Sequence, residues 1–273
     1  MARQAPQRDL APAVQRLRLR YAKRGRLRFA SHRDFQRAFE RALRRAQVPI
    51  AFSAGFTPHP RISYANAAPT GVASEAEYLE IAVTRQLESE QVRADLDASL
   101  PPGLDIVEAV VALTPDFADR LQASCWQIGL PGVADLQVQA AVDQVLAEEE
   151  VMVQRMTKSG LRTFDARQAV LSARIGQGPP DRTAIPGDVI QRESDTGYAI
   201  LTAVVRHVVP AVRPDDVLAA LRQVADLVPP DPPRITRLAQ GPLRSDGVEI
   251  GDPLAEDRAA ADQRPRLAGH TTG

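Results

Sequence analysis

The chain has 273 residues, 44% hydrophobic and 4% aromatic, which suits two domains of about 100 to 130 residues with aliphatic cores. It is neutral overall, yet residues 1–64 carry 15 Lys and Arg against 3 Asp and Glu, a local +12 that implies a polyanionic partner at that end. One cysteine, Cys125, excludes disulfides, cysteine zinc sites and cysteine-ligated clusters; with no membrane-length apolar run and no signal-peptide core, a cytoplasmic protein is expected.

Residues 1–14 and 244–273 are rich in Ala, Pro, Arg and Gly without a sustained period, and read as disordered tails. Residues 16–30 alternate. Leu17, Leu19, Tyr21, Leu27 and Phe29 share one parity, and Arg16, Arg18, Arg20, Arg24, Arg26 and Arg28 share the other, as in a half-buried strand with an arginine face. Ser31 and Asp34 then give a capping-box pattern at the head of a helix. On a helical wheel Phe35, Ala38, Phe39, Ala42, Leu43 and Ala46 fall in one sector of about 140°. Arg33, Arg37, Arg41, Arg44 and Arg45 fill an adjoining sector of about 120°. Pro49 stops this helix.

Strands at 50–53 and 61–65 flank the loop GFTPHP, and a strand (77–84), a helix (88–100) and a strand (104–113) follow. The order β-α-β-β-α-β is the ferredoxin-like arrangement. Beyond a linker at 114–121 the same order recurs: strand 123–130, helix 134–148, strands 151–157 and 168–175 around a turn, strand 198–209, helix 214–227 and strand 234–240. The expected fold class is α+β, with a basic ferredoxin-like domain over 15–115 and a second ferredoxin-like domain over 120–243.

Three constellations in the basic half could bind an anion or nucleic acid. The first is the strand face with Arg18, Arg20, Arg26 and Arg28, whose guanidinium groups suit phosphate contacts and, lacking aromatics, favour backbone over base contacts. The second is the helix start at Ser31, His32 and Arg33, continued by Arg37, Arg41, Arg44 and Arg45. The third is the stiff loop with Ser53, Gly55, His59 and Arg61, in which prolines on both sides fix His59. Glu77 and Glu80 differ in strand parity, so one of them faces the site. His32 and His59 are also candidates for an acid–base pair in metal-independent RNA cleavage. No metal and no cofactor is expected.

The segments FASHRD (29–34), RALRRA (41–46), PIAFSAGFTPHPRISYA (49–65) and GVASEAEYLE (71–80) resemble a family of radical-SAM-linked proteins of unknown function. The segment KSGLRTFDAR (158–167) extends the likeness into the second half. In that family the domain either follows a B12-binding-type radical SAM enzyme in one chain or stands alone. By position, His32, Asp34, Arg37, Arg45, Ser53, Gly55, His59, Pro60, Arg61 and Glu77 match its polar signature, while Phe52 and Asn66 depart from it. This chain has no CxxxCxxC triplet and is similar to the stand-alone form. The family has no established activity, so the resemblance implies only a link to a radical SAM enzyme. The basic constellations lead to the expectation of an accessory module that presents a substrate, or binds RNA or another polyanion, beside a separate radical SAM or RNA-processing enzyme. An endoribonuclease and a protein–protein adaptor are the alternatives.

Overall fold

The computed structural model describes residues 11–54, 56–158, 160–176 and 197–263. The first half contains β1 (Gln15–Lys23), α1 (His32–Arg45), β2 (Ile62–Ala65), β3 (Ala73–Val83), α2 (Ser89–Ser99) and β4 (Leu104–Val111). The second contains β5 (Ala123–Pro131), α3 (Asp135–Ala147), β6 (Met152–Thr157), β7 (Gly160–Asp165), β8 (Val170–Ile175), β9 (Tyr198–Arg206), α4 (Pro214–Ala225) and β10 (Arg234–Gly241). A last helix, α5 (Ala255–Asp262), closes the described chain. The protein is thus mixed α+β, with a core that is mostly sheet and five α-helices among the described residues. None of these helices is long and apolar enough to cross a membrane.

One sheet runs in the order β4-β1-β3-β10-β5-β9-β8, with β2 paired to β3 off this path. Strand β3 is shared along its length: residues 78–81 pair with β2, while Ala73 and Ser74 pair in parallel with Thr236 and Arg237 of β10. Every other ladder is antiparallel. The strand order in the first half is therefore β4-β1-β3-β2, and in the second β10-β5-β9-β8. Strands β6 and β7 form a separate hairpin.

Helix α1 forms where its capping box and its apolar sector coincide. Phe35, Ala38, Phe39, Ala42 and Leu43 are all buried, against Leu17, Leu19, Leu79 and Ile81 of the sheet. Phe39 is fully enclosed, and burying such a side chain stabilises the fold by about 1.5–3 kcal/mol. In the second half Val138, Val142 and Val145 of α3 and Val217 and Leu221 of α4 pack with Ile128, Leu130 and Leu201. Following the register from Tyr21 and Lys23 through Ser74 and Arg237 to Trp126 puts both helix pairs on one face of the sheet.

Four expectations need correction. Residues 50–53 make only isolated bridges, Ile50 to Val83 and Phe52 to Pro60, and not a strand. The alternation over 16–30 is not one strand: β1 ends at Lys23 and residues 25–29 form a 3-10 turn. Gly25 lies at φ +52°, a conformation that breaks an extended run, and Arg24 is anchored through its N–H to the Gly103 carbonyl oxygen at 2.8 Å. Residues 158–167 do not merely turn, since β7 pairs with β6 from Met152–Asp165 to Thr157–Gly160.

The span read as a tail from 244 is ordered through residue 263. Leu243 bridges Ile250, Gly251 N–H donates to the Pro242 oxygen at 2.7 Å, and Leu254 and Asp257 are fully buried. Residues 242–262 form a strap over the face opposite the helices, where Leu254 packs with Ala76, Tyr78, Val110 and Phe117. Gly241 admits the strap closely, because a Cβ there would collide with the Gly251 carbonyl oxygen. One apolar anchor and one buried acid hold this segment without any periodicity to betray them. Residues 1–10 and 264–273, also read as tails, lie outside the described residues.

Candidate nucleic-acid interface

The arginine face of β1 exists as the alternation predicts, but carboxylates meet it. Arg18 is 4% exposed. Its Nε lies 3.1 Å from Glu80 Oε2, its Nη1 2.6 Å from Asp257 Oδ2, and its Nη2 donates to the Thr114 oxygen at 2.6 Å. The guanidinium also sits 4.8 Å from the centre of the Phe117 ring. Arg16 pairs with the other oxygen of Glu80 at 3.2 Å, and Arg20 lies 3.9 Å from Glu108. Arg24, on the turn that follows, binds Glu75 and Asp105. All these acids come from beyond residue 64, so the charge imbalance along the chain is largely cancelled in space at this face. Arg18 is therefore committed to the fold, whereas Arg20, with a side chain 35% exposed, has only the long contact with Glu108 as an ion pair among the described residues.

Asp257 on α5 is the hub of that face. Besides Arg18, it accepts from Thr114 Oγ1 at 2.6 Å and from the backbone N–H groups of Leu113 and Thr114 at 2.9 and 3.0 Å. Arg120 approaches its other oxygen at 3.4 Å. Burial pushes the Asp257 carboxyl up, but the hydrogen bonds from Thr114, Arg18 and the two backbone groups outweigh it and hold the group below its usual range.

The outer face of α1 differs. Arg33, Arg37, Arg41 and Arg44 are exposed and have no carboxylate within 4.0 Å among the described residues, and they run along about 16 Å of helix at 1.5 Å per residue. Arg45, at the end of the row, donates to the Ser99 carbonyl on α2. The helix start is not an open anion cradle. Asp34 N–H donates to Ser31 Oγ at 3.2 Å, and Asp34 Oδ2 in turn accepts from Ser31 Oγ at 2.7 Å and from Ser31 N–H at 3.4 Å. These Ser31 hydrogen bonds, with a smaller effect of Arg37 and Arg33, hold the Asp34 carboxyl below its ordinary value. His32 packs edge-on against Tyr64, ring centres 4.9 Å apart.

Of the turn residues, Arg26 is exposed without an ion pair among the described residues, and Arg28 lays its guanidinium over Phe29 at 4.8 Å. The loop before β2 is closed by two hydrogen bonds, Ser53 N–H to the His59 oxygen at 2.8 Å and His59 N–H to Ser53 Oγ at 3.1 Å. Arg61 is tied by its backbone to Ala51 and Ala82, leaving its exposed side chain without an ion pair among the described residues. Gly55 lies outside the described residues. Among those residues no hydrogen bond, ion pair or ring contact joins His32 to His59; His32 is held against Tyr64 and His59 by its backbone to Ser53.

Glu80, not Glu77, faces the arginines of β1. Glu77 is buried where the two halves meet: its Oε1 lies 3.0 Å from Arg237 and 2.5 Å from Ser74 Oγ, and its Oε2 accepts from Ala68 N–H at 2.8 Å. Arg237 also donates to the Asn66 oxygen at 2.6 Å and covers Trp126 at 4.5 Å, while Lys23 reaches the Pro69 oxygen at 3.1 Å. Burial lowers the Lys23 ammonium from its usual value. Sequence patterning gave no sign of Asp257, Thr114 or Arg237, because each acts across more than 90 positions. No group of three or more His, Cys, Asp and Glu among the described residues could hold a metal ion.

A search of curated proteins finds no match. Residues 16–214, from β1 to the first residue of α4, match the family described as "uncharacterized protein conserved in bacteria", DUF2344. That span is most of the chain and includes β1, α1 and the His59 loop, and the protein belongs to the DUF2344 family.

Proposed function

We propose that this protein is a polyanion-binding accessory module whose ligand is RNA, and that it works in the cytoplasm beside a separate modifying or processing enzyme. One observation carries the reading: the row Arg33, Arg37, Arg41 and Arg44 on α1 stands exposed with no carboxylate partner among the described residues, whereas Arg16, Arg18, Arg20 and Arg24 are matched by acids. Guanidinium groups on a rigid helix suit repeated phosphate contacts. The likeness to radical-SAM-linked proteins supports a radical SAM enzyme as the partner. The strand order shared by the two halves supports reading them as tandem ferredoxin-like units over 15–115 and 120–243.

The test is a salt titration of binding to a single-stranded RNA. The log–log slope is about −0.7 per phosphate neutralised, so replacing all four arginines with Gln flattens it by about 3. A salt-independent signal, or no binding at low salt, overturns the reading. Each of the four side chains is exposed, so the variant melts close to the parent.

A further inference from the structure

Three adjoining clefts surround the start of β1 and the edge of β2. The first, of about 410 Å³, has Phe52, Ser53 and Arg61 on its walls. The second, about 560 Å³, shares Arg61 and adds Arg16. The third, about 670 Å³, shares Arg16 and adds Ser63 and Thr114. Arg61 walls the first two and Arg16 the last two, so the three lie in a row as a segmented groove. Each part has the volume of a pocket that accepts a small ligand.

The chemistry along this groove alternates. Phe52 is 41% exposed at one end, an uncommon position for a phenyl ring. Arg61 in the middle has no ion pair among the described residues, and Arg16 beside it has a side chain 56% exposed and shares Glu80 with the buried Arg18, so its own hold on that acid is weak. An exposed ring that shares a cleft with Arg61, with the solvent-facing Arg16 one cleft further on, is an arrangement that stacks a base and grips its phosphates.

We propose that this groove binds single-stranded nucleic acid, with Arg61 and Arg16 on neighbouring phosphates and Phe52 stacked on a base. The inference rests on the polyanion reading and narrows its ligand from any RNA to an unpaired strand. A duplex keeps its bases stacked inside and has no face to offer Phe52. A free nucleotide carries the same phosphate and ring, so the two sources are compared directly.

Binding is measured by fluorescence anisotropy with a labelled ten-nucleotide RNA, the corresponding ten-base-pair duplex, and adenosine monophosphate as competitor. The single strand is expected to bind more tightly than the duplex, and the mononucleotide to compete only weakly. Phe52→Ala lowers affinity for the strand by about tenfold or more with an unchanged salt slope. Arg61→Gln flattens the slope by about 0.7. Phe29→Ala, also at an exposed ring but outside all three clefts, leaves strand binding unchanged. Equal affinity for duplex and strand with Phe52→Ala silent overturns the groove while leaving the α1 reading intact. A mononucleotide that binds as tightly as the strand overturns the strand assignment. Loss of all salt-dependent binding overturns both readings.

Discussion

Arg18 and Arg37 are the same residue type with opposite tasks. Arg18 meets Glu80, Asp257, Thr114 and the Phe117 ring, while Arg37 stands exposed on α1. Removing one partner of a buried ion pair leaves the other charge uncompensated, at a cost of about 3–5 kcal/mol. Arg18→Met is therefore expected to destabilise by that amount in a urea melt, and Arg37→Gln by no more than about 0.5 kcal/mol. A reversed order would mean that the cations of β1 are not the structural ones. Parity alone placed Arg16, Arg18 and Arg20 correctly on one face. It could not reveal that Asp257, 239 positions away, arrives to neutralise them.

Elements with a strong local signal were legible. Helix α1 was expected from Ser31, Asp34 and the spacing of Phe35, Phe39 and Leu43, and it starts and buries residues as that pattern requires. The strap and α5 were not legible, since Leu254 and Asp257 hold them through contacts remote in sequence. The acid in that contact makes α5 sensitive to pH. The folded Asp257 carboxyl lies below its ordinary value, so its contribution is complete above about pH 4, the unfolded reference, and is lost as pH falls through the folded value. Amide protection in α5, measured against the intrinsic exchange rate at each pH, is expected to fall in acid before protection in β1 does, and Asp257→Asn to lower it already at neutral pH. Simultaneous opening of α5 and β1 across the acid range would count against a strap held by this carboxylate.

At the scale of the molecule, two residue pairs of β3 and β10 join the halves of the sheet, backed by the buried Glu77–Arg237 ion pair. Glu77→Gln leaves Arg237 and Lys23 buried without that carboxylate and is expected to cost about 3–5 kcal/mol. Trp126, the sole tryptophan, lies against Arg237 and reports on the junction, so its emission should shift in the native state and its melting midpoint should fall. An unchanged spectrum and midpoint would mean that the Glu77–Arg237 ion pair adds nothing to the junction. A strand and helix at the start of each half and a helix and strand at its end were readable in advance. The four strands between the helices of the second half and the merging of the halves into one sheet were not, because the pairing of Ser74 with Arg237 leaves no mark in either strand. The distance from Arg18 to Asp257 also sets a timetable for biosynthesis. At about 5–20 residues per second, translation leaves the early guanidinium row without its last counterion for on the order of ten to fifty seconds. A nascent chain on the ribosome, amid ribosomal RNA, is thus more cationic at its start than the finished protein ever is.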